Sequence, residues 1–183
     1  MNISLPIYTS IFPTIHTTHG YNIYSSSTTS PEFNLVDKNK KTYWISDINT
    51  FNSNGDYIGT SNFNGIEGEY IGMDCDFSSV IDSITFTFML SRIDLSSIRI
   101  FASNDKETWD ELQTQNDVDT VRIINPSFKM YKKYIFILSK SLVSSSDYST
   151  QICINEIKIL LKVYKDTYHN YFNKNKLFEY LLV

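Results

Sequence analysis

Apolar and polar positions alternate along much of the chain with a period of two, the spacing of a strand with one buried face. Over residues 82–88, Ile84, Phe86 and Phe88 fall on one side while Ser83, Thr85 and Thr87 fall on the other. Comparable runs predict strands over 69–74, 97–102, 120–124, 131–138 and 152–161, with a shorter one at 21–24. Short strands joined by polar turns predict an all-β chain folded as an antiparallel β-sandwich. The period changes only near the end. There Tyr168, Tyr171, Phe172, Phe178, Leu181 and Leu182 share one helical face, which predicts a short C-terminal helix. Between 45 and 68 the alternation stops and Asn, Ser, Asp and four of the six glycines take over. A loop of more than about 15 residues is uncommon in a compact domain and is the first place to look for binding.

Composition narrows the fold further. A chain of 183 residues with 42% hydrophobic and 15% aromatic residues is one domain with ample core material. Alanine occurs once, at Ala102, against an abundance of Ile, Thr, Tyr and Phe, which excludes a helical bundle and a doubly wound α/β enzyme. Cys75 and Cys153 lie in predicted strands as small buried hydrophobes, and with His16, His19 and His169 they form no zinc pattern. No nucleophile elbow, phosphate-binding loop or dinucleotide fingerprint occurs, so no enzyme is expected. The net charge of −4 gives no general attraction to nucleic acid. That charge is uneven: residues 1–128 hold 7 basic and 16 acidic residues, and 129–183 hold 9 and 4. No run reaches the roughly 20 apolar residues of a transmembrane segment, and the first seven residues lack the basic and apolar regions of a secretion signal.

Four stretches, read in order, carry a resemblance. Residues 34–44 include Asp37, Asn39, Thr42 and Trp44, similar to the pattern Asp-Gly-Asn-x-x-Thr-x-Trp. Residues 68–74 follow at the expected place. Residues 98–112 include Ser103, Asp105, Trp109 and Leu112, similar to Ser-x-Asp-Gly-x-x-Trp-x-x-Leu. Residues 134–137 and 154–159 look like a closing strand pair with its glutamate, Glu156. Together they resemble the discoidin, or coagulation factor 5/8 C-type, family. The resemblance implies a galactose-binding-like jelly roll over 20–163, flanked by an N-terminal extension, 1–19, and an amphipathic C-terminal extension, 164–183.

It also implies a function. Such domains bind glycans, and some bind anionic lipid, through loops at one end of the sandwich. Sugar recognition needs aromatic faces against C–H patches and amides, carboxylates or Arg for hydroxyls. The long loop offers Phe51, Asn54, Asp56, Tyr57 and Phe63, and Arg92 lies in a loop that relatives use for binding. The lipid variant is weaker because the long loop has no Lys or Arg. In many relatives the first turn and the glutamate hold a structural Ca²⁺, which makes Asp37, Asn39, Thr42 and Glu156 the candidate ligands. The alternative is a metal-free turn in which Asp37 caps backbone N–H groups. The family's two turn glycines are Lys38 and Lys106 here, so a different turn shape is expected. Trp44 and Trp109 are expected to plug the ends of the sandwich.

The reading is a non-catalytic discoidin-type module that recognises glycans, located on a virion or other particle surface and otherwise cytoplasmic or secreted without a leader. The alternative is a structural subunit of a large assembly, such as a minor capsid, cement or fibre-associated viral protein. In that case the extensions dock on other protein subunits in a homo- or hetero-oligomer.

Overall fold

The structure is a computed structural model and describes residues 6–11, 21–88, 95–116, 120–122, 129–141 and 151–164. Its strands are β1 (Pro6–Ile11), β2 (Tyr21–Ser25), β3 (Trp44–Ile45), β4 (Asn62–Phe63), β5 (Ile66–Glu67), β6 (Glu69–Phe88), β7 (Leu95–Ser103), β8 (Asp110–Asn116), β9 (Thr120–Arg122), β10 (Tyr131–Ser141) and β11 (Cys153–Tyr164). One 3₁₀ turn, Glu32–Leu35, interrupts them, and no α-helix occurs among the described residues. The runs at 69–74 and 82–88 prove to be one strand of 20 residues. Its first part pairs with β2 and β10 as far as Ser79, and from Val80 onward it pairs with β11 and β9. A strand that changes sheets in this way makes the corner of a sandwich.

One sheet therefore runs β2-β6-β10-β7-β8, and the other is built from β1, β11, β6 and β9 with the short β3 beside β11. Alternation decides which side chains face inward. Ile98, Ile100 and Ala102 of β7, Tyr134, Phe136 and Leu138 of β10, and Ile71, Met73 and Cys75 of β6 share one core with Ile84, Phe86, Ile157, Ile159 and Leu161. Each large apolar side chain so buried contributes about 1.5–3 kcal/mol. Trp44 is fully buried in this core, and its Nε1–H donates to Ser25 Oγ at 3.1 Å. Burial, and next the charge of Asp74, pushes the Cys75 thiol up to about 12, so it stays protonated and inert.

Strand β1 pairs with β11 from Pro6↔Tyr164 to Ile11↔Ile159, so residues expected in an extension form an edge of the sandwich. The predicted C-terminal helix lies outside the described residues. A second apolar cluster sits on the outer face of the five-stranded sheet, where Phe101, Ile135 and Ile137 are covered by Tyr24, Phe63, Ile66, Tyr70 and Trp109. Trp109 is thus half-buried on a sheet face and does not plug an end. The β4–β5 hairpin lies against this face, with Phe63 edge-on to Trp109 at 4.9 Å between centroids.

The two lysines at family glycine positions also depart from expectation, because the turns keep a glycine-like shape. Lys38 has φ 57° and Lys106 φ 71°, both left-handed. A left-handed lysine costs about 1–2 kcal/mol. At Lys106 the side chain offsets this: Nζ lies 2.5 Å from Asp74 Oδ2 and over the Tyr24 ring.

Candidate functional site

The long loop lies at the end of the sandwich where β2 and β10 finish and β6 and β11 begin, and hydrogen bonds fix it on several sides. Asn52 Oδ1 accepts the N–H groups of Asn54 and Asp56 at 2.8 and 3.0 Å, while Asn52 N–H reaches the Asp56 carbonyl. An asparagine that caps its own turn in this way is a local alternative to a sheet ladder. The turn needs Gly55, which has φ 78° and sits so close to β10 that an added Cβ would lie 2.1 Å from the Ser141 carbonyl oxygen. Ser141 N–H donates to the Gly55 carbonyl at 2.9 Å, and Lys140 Nζ lies 3.2 Å from Asp56 Oδ1.

Beneath the turn sits Glu69, a carboxylate only 1% exposed. A buried carboxylate needs donors on its lone pairs. Ser26 and Ser27 hydroxyls donate to Oε2 at 2.5 Å each, and the Tyr57 hydroxyl donates to Oε1 at 3.3 Å. Tyr57 in turn accepts Ser61 N–H at 2.8 Å and packs edge-on against Phe51. Burial raises the Tyr57 pKa, opposed by the Ser61 N–H and reinforced by the Glu69 charge, so its hydroxyl remains a donor. Ser27 Oγ also accepts Asp47 N–H, and Asp47 Oδ1 accepts the N–H groups of Thr28 and Thr29, which ties a second loop to the first. Ser46 completes the frame by accepting from Gln151 and Ile152.

The six candidate glycan contacts therefore separate. Asn54 and Asp56 are exposed on the turn, with Tyr57 half-buried under it. Phe51 is corrected: it is fully buried in the core, where its ring carries Tyr57 and faces no ligand. Phe63 belongs to the outer-face cluster instead of the turn. Arg92 lies outside the described residues. Sequence reasoning missed Lys140 and Glu69. Lys140 meets Asp56 only through a bridge across 84 positions, whereas a carboxylate directly after Gly68 at the start of a strand was visible. Ile48 and Ile58, 69% and 57% exposed, add apolar surface to the loop.

The structure brings Asp37, Asn39 and Thr42 together, but their oxygens are already in use. Asp37 Oδ1 accepts Asn39 N–H at 2.8 Å and Oδ2 accepts the Thr42 hydroxyl at 2.6 Å. Asn39 Oδ1 accepts Lys41 N–H, and the Asn39 carbonyl accepts Thr42 N–H. Ca²⁺ takes six to eight oxygens whose lone pairs converge on it. This donor set is a hydrogen-bonded turn and does not fit that requirement. Glu156 is half-buried on β11, and among the described residues no group of three or more His, Cys, Asp or Glu is placed to hold a metal ion.

No protein-family model and no curated protein matches the chain. Solved structures do match it. A family 32 carbohydrate-binding module of Clostridium perfringens NanJ, in complex with galactose, aligns over 84% of this chain and 99% of its own, with a TM-score of 0.56 and 15% identity. Another such module, from a family 31 glycoside hydrolase of the same organism, covers 78% and 91% with a TM-score of 0.54 and 15% identity. A third, from C. perfringens in complex with GalNAc-β-1,3-galactose, covers 76% and 94% with a TM-score of 0.51 and 11% identity. The chain thus has the galactose-binding-like, discoidin-type β-sandwich fold. Among the described residues no helix is long and apolar enough to cross a membrane.

Proposed function

We propose that the protein is a non-catalytic carbohydrate-binding module that holds an uncharged sugar on the turn at 52–58, beside the end of β10. The observation that carries this reading is the exposed pair Asn54 and Asp56, on a loop tied down by Glu69 and Ser141, beside the exposed Lys140 at the end of β10. An amide, a carboxylate and an ammonium group side by side supply donors and acceptors for vicinal hydroxyls. A loop already fixed in place loses little conformational entropy on binding. The fold supports the same reading, since the similar NanJ module was solved with galactose. An uncharged ligand fits the charge balance of the site, where Asp56 and Lys140 already pair with each other at 3.2 Å. The pairing of β1 with β11 favours a self-contained module over a particle subunit, because residues 6–11 are occupied within their own sheet.

A glycan array tests the proposal. Wild type should bind neutral, galactose-terminated glycans, and the double variant Asn54→Ala, Asp56→Ala should lose at least about tenfold in affinity, the worth of one or two hydrogen bonds. A wild type that binds nothing on the array contradicts the function. Equal binding by both proteins contradicts the site.

A further inference from the structure

We infer that the amide of Asn155 closes the 37–42 turn in the role a divalent cation would otherwise take, so that the sandwich is held together without calcium. The strand register of β11 steps between Ile154, opposite Phe88, and Glu156, opposite Thr87, which leaves Asn155 in a bulge. From that bulge its Nδ2 reaches the Thr42 carbonyl at 3.1 Å and the Lys40 carbonyl at 3.4 Å. Two carbonyl acceptors require the NH₂ end of the amide to face them, because the Oδ1 end would set oxygen against oxygen. A second amide does the same one residue on, where Asn34 Nδ2 donates to the Tyr43 carbonyl at 2.9 Å. The carbonyls of residues 40, 42 and 43 are therefore held by side-chain N–H groups, and both oxygens of Asp37 are held within the turn.

A cation here would have to displace the Asn155 amide and take lone pairs already committed to hydrogen bonds. The turn itself carries Lys38, Lys40 and Lys41, three positive charges within four residues, against Asp37 as its one carboxylate, a balance that disfavours a cation. The amide links the turn to β11 by donating where a metal would accept electron pairs, and it does so without a charge to desolvate. The consequence is a module whose stability and ligand binding are indifferent to chelators.

Thermal unfolding tests this without any glycan, so its outcome is separate from that of the proposed function. Wild type should melt at the same temperature in EDTA and in millimolar Ca²⁺. Asn155→Ala should melt roughly 2–5 °C lower in both, the scale of one or two lost hydrogen bonds in a chain of this size. Asn155→Asp keeps the shape but not the donor, and should fall at least as far in EDTA. A saturable rise of the wild-type melting temperature with Ca²⁺ overturns the inference. So does an Asn155→Asp variant that melts with wild type in EDTA, because the donor would then be dispensable.

Discussion

Strands β7 and β10 bury side chains on both faces, and the two faces hold different things. Inward, Ile98, Ile100, Tyr134, Phe136 and Leu138 meet the opposite sheet and Trp44 in a core closed to solvent. Outward, Phe101, Ile135 and Ile137 meet a hairpin and a set of half-buried rings. The first cluster joins two sheets and stabilises the sandwich as a whole. The second joins a sheet to a loop, so it governs where residues 61–68 lie and, through Ser61 and Tyr57, how the turn at 52–58 is held. Burial inside the sandwich fixes the fold, and burial outside it fixes the placement of the long loop.

This contrast can be broken by substitution. Trp44→Ala should have the largest effect, about 3–5 kcal/mol of global stability by urea unfolding, since a full cavity opens between the sheets. A loss below about 1 kcal/mol would mean that Trp44 is not central to the core. Trp109→Ala should cost about half as much, because the ring is half-buried, and should act locally. Hydrogen exchange should quicken at residues 61–68 while β10 and β11 keep their protection. Equal acceleration in both would erase the distinction between the clusters. Glu69→Gln should cost about 1 kcal/mol, because the amide keeps one acceptor for the three hydroxyls but loses its charge. Its exchange signature belongs at 57–61, and unchanged rates there would remove Glu69 as the loop's anchor.

The smallest effect concerns pH at the turn after β7. The N–H groups of Thr108 and Glu107, followed by the Thr108 and Ser103 hydroxyls, hold the Asp105 carboxyl well below the usual carboxylate range. A folded-state pKa below the unfolded value, about 3.9, gives stability that is present above that value and lost as pH falls beneath it. Wild type should therefore lose melting temperature on acidification below about pH 4, and Asp105→Asn should show a slightly flatter acid limb. A steeper limb in the variant would reverse the sign and refute the assignment.

The strands were legible because alternation records one buried face, and 82–88 read correctly for that reason. Where a strand is buried on both faces, as at Ile135, Phe136 and Ile137, the pattern marks a strand but does not say what covers the second face. The loop was legible as a loop, yet its aromatics were not sorted. Phe51 and Phe63 sit in similar Asn-rich surroundings, and only tertiary packing sends one into the core and the other onto a sheet. Lys38 and Lys106 concealed left-handed turns, since lysine carries no local signal for positive φ. Asn155 escaped notice beside Glu156, because a bulge of one residue decides which of the two side chains reaches the turn. The likeness to solved structures at 11 to 15% identity repeats the point: the fold is shared although most residues differ.

As proposed above, a sugar binds at the turn rather than on the outer aromatic cluster. Chemical-shift mapping of amide signals during titration with a neutral, galactose-terminated oligosaccharide distinguishes the two directly. Saturable shifts centred on residues 52–58 and Lys140, with residues 63, 66, 70 and 109 unmoved, are the result predicted. Shifts centred on Phe63 and Trp109, or none at saturating sugar, would contradict it.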